Sequence, residues 1–526
     1  MIDLLCYTIL GIIILGLLVL LYKLVFYPKF RLAAIKFRYG DKVKTYFYVG
    51  EGLLAEYRNN LLKYNDSVYF MRQLHQENLK ALAFNFSTKV CISFLDPELI
   101  KQFHQNHDSF KKVDVSMAIT YLFGDSIIFA RGKQWQRQRQ FLGKSFHFEE
   151  IKNYLPEIKM ISENVFGNFN LKESEKKEIN AVQICQKVTS EVVFKIFFGS
   201  SSQNLVITTQ EGHQIKVAEE LVSAIVDSMQ IFNTDKIALL KWIFLEKNST
   251  KYFITKSEKQ LKDRLFAIKQ ACLSVIKKRN DELTQDVSQA KYNFLDQYLK
   301  EMITNQNTQI TYEEIIDNYL TLFFAGTDTT GNMTGVALYY LSINPHIQKQ
   351  ARNEILQKLS QKTVSLDPKE LFYSFSFDDI ASLNLLNSIL KESLRLIPPA
   401  IDVFPREAVQ DIRIGELEIK KGDIVTSHFI YNQSNNQIFS NPDTFDPQRW
   451  MNGKEQYNTY NFTPFSLGPR NCIGQHLAMI EGKCMLAYLL LNYEILPNTN
   501  QQVIKQNNLV YGFQKDNLIL FKKIQL

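Results

Sequence analysis

The residues with the clearest chemistry lie near the C-terminus, in Phe465-Ser466-Leu467-Gly468-Pro469-Arg470-Asn471-Cys472-Ile473-Gly474. One cysteine stands among glycines, a phenylalanine and an arginine, directly before an apolar helical pattern. That order puts the sulfur at a helix N-terminus, where the helix dipole and free N–H groups favour thiolate over thiol. Such a sulfur can bind a metal, attack an electrophile, or simply be a structural cysteine buried after a loop. Gly468 and Gly474 let the backbone pass close to a flat ligand, Phe465 can shield the sulfur, and Arg470 can meet an anionic edge. A zinc site built from Cys472, His476 and Cys484 lacks a fourth spaced ligand.

A second segment, Phe323-Phe324-Ala325-Gly326-Thr327-Asp328-Thr329-Thr330, interrupts an otherwise apolar helix. Glycine inside a helix costs roughly 1 kcal/mol against alanine, and a threonine hydroxyl can bond back to the carbonyl four residues earlier. For Thr329 that carbonyl belongs to Ala325, so a local bend with a polar notch is expected. An acid and a hydroxyl beside a metal-bound ligand can relay protons. The same residues also suit a helix packed through small side chains, with Asp328 ion-paired.

Two further pairs have helical spacing. Glu392 and Arg395 stand at i, i+3 before Pro398-Pro399 ends the helix, a spacing that alone reads as a surface bridge. Trp135 and Arg139 stand at i, i+4 after Gly132, so an indole N–H and a guanidinium can reach one anion. An exposed basic helix would look the same.

Together these motifs resemble the cytochrome P450 family. Phe-x-x-Gly-x-Arg-x-Cys-x-Gly resembles its haem-thiolate signature, and Ala-Gly-x-Asp-Thr-Thr resembles its oxygen-activation segment. Glu392-Ser-Leu-Arg395 resembles its Glu-x-x-Arg motif, with Phe445-Asp446-Pro447-Gln448-Arg449-Trp450 supplying the third member. The order of motifs covers essentially the whole chain after an N-terminal apolar segment.

The resemblance implies a mainly α fold with small β-sheets, binding haem b with Cys472 as axial ligand of the iron. It implies that Asp328 and Thr329 deliver protons, and that Trp135, Arg139, Arg406 and Arg470 meet the propionates. Ala325, Phe465 and Gly474 would line the haem, and Glu392, Arg395 and Arg449 would brace the cysteine loop. Three arginines and an indole N–H against two carboxylates is chemically sensible, because propionates are poorly solvated inside a protein. The family most often has phenylalanine where Trp450 stands, a change expected to be tolerated. Some fatty-acid ω-hydroxylases carry a glutamate at the position of Ala325 that esterifies the haem, so alanine implies no such link.

The activity implied is insertion of one oxygen atom of O2 into a lipophilic substrate such as a fatty acid, sterol or xenobiotic. No flavin or nicotinamide module fits in 526 residues, so electrons would come from NADPH through a separate cytochrome P450 reductase. Lys133, Arg137 and Lys144 flank Trp135 and offer either a docking face for an acidic partner or a solvated helix face. Two other readings are a haem-thiolate isomerase or dehydratase acting on peroxides, and a haem-binding sensor without turnover. Neither needs an acid–alcohol relay, so Asp328 and Thr329 argue against both. Pocket positions implied by the resemblance are in Asp114–Phe129, Phe323–Phe324, Ala400–Val403 and Val510–Phe513. Asp402 is an unusual acid there, able to select a cation or to turn away into a hydrogen-bonded turn.

The elements that must position these residues follow from composition and pattern. A 45% hydrophobic, 22% charged chain of this length is ordinary for a folded protein. Six scattered cysteines without Cys-x-x-Cys suit a reducing compartment rather than a disulfide framework. Leu4 to Tyr22 is uncharged and long enough to span a bilayer. Lys23, Lys29, Arg31, Lys36, Arg38, Lys42 and Lys44 follow, against Asp41 alone, which places the bulk of the chain in the cytosol. A cleaved signal peptide would show a basic leader and a small-residue cleavage site, and neither is present. A single-pass anchor over 1–27, a basic flank over 28–50 and a catalytic domain over 51–526 are expected. Among microsomal members of the family, this implies the endoplasmic reticulum membrane. The net charge of +7 is then a membrane-flank effect and not a nucleic-acid footprint. The proline-rich hinge usual after such anchors is absent; only Pro28 appears.

Val68–Met71, Ala81–Phe84 and Val90–Phe94 read as strands, and Asp96-Pro97-Glu98 as a helix start. Long helices are expected near Ile215–Ile231, Lys256–Leu283 and Tyr312–Ile343, with strands at Ile412–Ile419, Ile424–Phe429, Leu509–Phe513 and Leu518–Phe521. Ile237–Leu245 is apolar enough for either a second membrane contact or the core. Residues 285–291, 304–309 and Thr363–Phe377 read as surface connections.

Overall fold

Leucine and isoleucine at most positions make the first helix, α1 (Ile2–Leu21), and almost all its described side chains are exposed. A π-helical turn, Tyr22–Phe26, carries it without a break into α2 (Tyr27–Tyr39). The computed structural model describes residues 2–48, 53–86, 88–113, 117–172, 175–199, 205–208, 212–291, 293–305, 307–360, 367–451, 457–507, 510–513 and 518–524. These form two compact units.

The first unit comprises residues 1–113, 401–442 and 457–469. Its sheet runs Val43–Tyr46, Ala81–Phe86, Lys89–Phe94, Ile424–Ser427, Arg406–Ala408, Phe110–Lys112 in spatial order. The Ala81–Phe86 and Lys89–Phe94 strands contain the two expected segments and pair antiparallel, with Ala81 opposite Phe94. Leu32 and Ile35 of α2 pack into the same core as Val90, Ile92 and Phe94. Asp96 caps α3 (Pro97–Gln105) by accepting from the N–H groups of Glu98 and Leu99. The expected strand at Val68–Met71 is instead part of a short helix, Tyr69–Gln73. Asp66 turns the chain there, accepting from the Val68 N–H at 3.1 Å and from Arg72 at 3.2 Å. A four-residue apolar run has no period that could have told the two apart. The Ile412–Ile414 and Leu417–Ile419 strands form a hairpin over Gly415, whose φ is +56° and whose added Cβ would lie 2.5 Å from Leu99.

The second unit, residues 114–400, 443–456 and 470–526, is largely helical. Its functional frame is α4 (Gly132–Ser145), α5 (Ala181–Val193), α6 (Tyr312–Ile343), α7 (Asn384–Leu396) and α8 (Gln475–Asn492). The helices at Val217–Thr234 and Lys256–Gln285 and α6 itself lie where the periodicity puts them. The helix Lys236–Leu245 answers to neither simple reading, with Ala238 buried and Ile237 62% exposed. Part of the expected connection at 363–377 is helical, Pro368–Ser374 and then Phe377–Ala381, each capped by the residue before it, Asp367 and Ser376. Such short helices carry too few turns to show a period. Residues 363–366, 114–116 of one expected pocket segment, and Leu509 lie outside the described residues. The strand Lys176–Asn180 was not expected; it pairs with Leu518–Lys523 but is mostly charged and shows no alternation.

Candidate active site

The site is built first around the start of α8. Gly474 is its N-cap residue, so Cys472 sits just outside the helix with its sulfur facing the N–H groups of Gly474 and Gln475. The Cys472 side chain is solvent-accessible on one side, yet the protein packed around it desolvates the sulfur. Burial pushes the thiol above its ordinary range, against the pull of the two N–H groups and Arg139. The helix-end effect expected from the sequence is therefore present but smaller than the desolvation it opposes.

Trp135 and Arg139 share one face of α4, and that face contacts the cysteine loop. Arg139 donates to the Asn471 carbonyl at 2.8 Å and to Asn471 Oδ1 at 2.6 Å. Arg470 stacks over the Trp135 ring at 4.0 Å and donates to the Ala130 carbonyl at 2.8 Å. Trp135 and Arg139 thus grip the two residues that precede Cys472. Among the described residues, Arg139 has no carboxylate partner.

In the first unit, Arg406 is 3% exposed, lies over the Phe103 ring at 4.9 Å, and leaves its Nε without a hydrogen bond. Burial lowers its pKa to about 10, and burial with the nearby Arg406 lowers that of His104 to about 3. A buried guanidinium short of an acceptor calls for an anion. Phe465 is half-buried in this unit, and Gly468 has φ +70°. In the second unit, an accessible sulfur beside a guanidinium with no carboxylate partner among the described residues fits a haem, which Cys472 would hold through iron and Arg139 through a propionate. Asp402, in the first unit, is bridged through its backbone to His428, not folded into a hydrogen-bonded turn. Its carboxyl, one-third exposed, is 3.9 Å from His428 Nδ1 and makes no hydrogen bond among the described residues. Burial raises that carboxyl to about 7.

Helix α6 runs unbroken through Ala325–Thr330, so the notch is made by side chains and not by a break in the helix. Thr329 Oγ1 donates to the Ala325 carbonyl at 2.6 Å, as the spacing predicts. The small residues do pack a neighbour: a Cβ on Gly326 would lie 2.9 Å from Val193, and one on Gly331 2.5 Å from Gln186, both on α5. Asp328 is not ion-paired among the described residues. It accepts from Gln186 Nε2 at 3.1 Å, and burial raises its pKa to about 6. Gln186 carries no signal in the sequence and was missed.

The expected brace is assembled and larger than anticipated. Arg395 donates twice to Glu392, at 2.9 and 2.8 Å, and Arg449 Nε donates to Glu392 Oε1 at 2.9 Å. The Asp446 N–H reaches the same oxygen at 3.1 Å, and the Trp450 indole N–H donates to Oε2 at 2.8 Å. Trp450 is therefore more than a tolerated replacement for phenylalanine; it completes the shell of a carboxylate that is 0% exposed.

The cytochrome P450 family model matches residues 52–520, and the chain belongs to that family. It is similar to cytochrome P450 CYP72A219 of Panax ginseng, 27% identical over 420 residues, covering 78% of this chain and 75% of that protein. It is also similar to cytochrome P450 4F8 of Homo sapiens, 27% identical over 421 residues, 77% and 76% covered. Cytochrome P450 4F5 of Rattus norvegicus is 28% identical over 398 residues, 72% and 70% covered. The crystal structure of the cytochrome P450DA heme domain shares the fold, with TM-score 0.72 at 18% identity over 91% of this chain and 97% of that one. The enzyme is accordingly a cytochrome P450 monooxygenase with a haem-thiolate cofactor.

Proposed function

We propose that this monooxygenase inserts one oxygen atom of O2 into a lipophilic substrate, a fatty acid, sterol or xenobiotic. Electrons come from NADPH through a separate reductase, and α1 anchors the chain in the endoplasmic reticulum membrane with the catalytic body in the cytosol. Haem, when bound, would supply the oxidising chemistry, and Cys472 would hold its iron through the sulfur. The observation that carries the reading is the acid–alcohol pair on α6. Gln186 fixes Asp328 Oδ1, which leaves Oδ2 to hold a transferable proton, and a pKa of about 6 keeps both protonation states populated near neutrality. The Thr329 hydroxyl donates to the Ala325 carbonyl, which leaves its lone pairs to accept. A carrier or a peroxide isomerase has no use for such a pair.

Replacing Thr329 with Ala should raise peroxide released per NADPH consumed several-fold with little change in haem binding. Unchanged coupling would remove the relay from the mechanism. Substrate class is tested by iron spin-state shifts of the purified haem protein with fatty acids, sterols and amines. Amines belong in the set because the Asp402 carboxyl has no hydrogen-bond donor among the described residues. Shifts with the first two classes are expected, and shifts with amines alone would replace the lipophilic assignment.

A further inference from the structure

We propose that the outward face of α2 lies in the headgroup region of the bilayer that α1 spans. The inference rests on α1 being the membrane anchor.

One face of α2 is locked into the first unit. Pro28, Leu32 and Ile35 are buried, the last two at 4% and 2% exposure within the sheet core. Arg31 pairs with Asp423 at 2.8 Å, where Asp423 is 1% exposed. The Glu418 N–H donates to Tyr39 Oη at 2.8 Å. These contacts fix the rotation of the helix about its own axis.

At 3.6 residues per turn, the opposite face carries Phe26, Phe30, Ala33, Ala34 and Phe37. The three phenylalanines are 45%, 70% and 94% exposed, and Phe26 and Phe30 stack on each other, at 6.5 Å between centroids. Water is a poor home for this face, because exposed aromatic rings gain free energy by leaving it. None of the described residues of the first unit covers it. The bilayer is the occupant because the face continues the lipid-facing surface of α1 along an unbroken helix from Ile2 to Tyr39. Charge agrees. Lys36, Arg38 and Lys42 are engaged by Asp41, Glu418 and Glu416. Lys23 and Lys29 have no acidic partner among the described residues and remain available to phosphate headgroups.

A helix longer than the hydrocarbon core tilts, which keeps one of its faces in contact with lipid further along its length than the other. Here that face is the phenylalanine face, and the first unit is carried on the reverse. The Tyr22–Phe26 π-turn, in which the Tyr27 N–H bonds to the Tyr22 carbonyl just before Pro28, joins the two helices without a gap. The structure thus replaces a flexible linker with a splint.

The test uses the full haem protein in liposomes, with Phe30→Trp and Phe37→Trp made singly and Asp108→Trp, a position 94% exposed on the same unit, as control. Parent emission is subtracted for the native tryptophans. Emission from both α2 positions should shift to the blue and lose most of its intensity when the lipid is brominated near the top of the acyl chain, while the control is unaffected. Unquenched tryptophans in protein that stays with the membrane through alkaline carbonate would overturn this proposal alone. Release by carbonate would overturn the α1 anchor, and this surface with it.

Discussion

At Asp328 a carboxylate is held by a neutral amide where a cation would ordinarily sit. Its folded pKa of about 6 lies above that of an unfolded aspartate, so it favours the folded state at low pH, and that contribution is lost as pH rises through about 6. Asp328→Asn should therefore flatten the fall in stability between roughly pH 4 and 7, measured as unfolding temperature against pH. A variant whose pH profile superimposes on the parent would mean that the carboxylate is solvated in the folded state. The Thr329–Ala325 bond and the place of Cys472 just before a helix were legible in the sequence because both follow from local spacing. Gln186 was not, since it reaches Asp328 from another helix and nothing around it marks the encounter. Trp450 was visible as a departure from the family, but its hydrogen bond became visible only once Glu392 was placed beside it.

Among the elements, the crossing of α5 over α6 sets the position of the acid. Gly335 on α6 approaches α5 so closely that an added Cβ would lie 2.7 Å from the Val182 Cα, a backbone atom that cannot step aside. Gly335→Leu should push the helices apart, costing about 1–3 kcal/mol or more in denaturant unfolding and disturbing the Gln186–Asp328 contact, read as reduced coupling. The long helices were legible from periodicity because each runs through many turns. Elements held by distant partners were not: Lys176–Asn180 is a strand only because Leu518–Lys523 pairs with it. Likewise, helix Tyr69–Gln73 depends on Asp66 for its turn.

For the whole molecule, the partner question turns on charge that remains free. Arg137 is committed to Glu314, at 3.0 Å between Nη1 and Oε1, so it is poorly suited to dock a reductase. Lys133 and Lys144 stay exposed on α4. Reversing both to Glu should slow reductase-driven turnover several-fold at low salt and weaken its salt dependence, with peroxide-driven turnover unaffected. Equal rates across ionic strength would place docking elsewhere. The brace around Glu392 also has a topological consequence. Directly after α7 the chain leaves the second unit, contributes residues 401–442 to the first, and returns at Asp443. Arg395 lies before that excursion and Arg449 after it, and both are fastened to one carboxylate. Glu392 is a clasp at the neck of a long loop. Because a half-satisfied buried carboxylate costs more than none, the clasp closes as a unit, and it fastens together the two places where the chain leaves the second unit and returns to it.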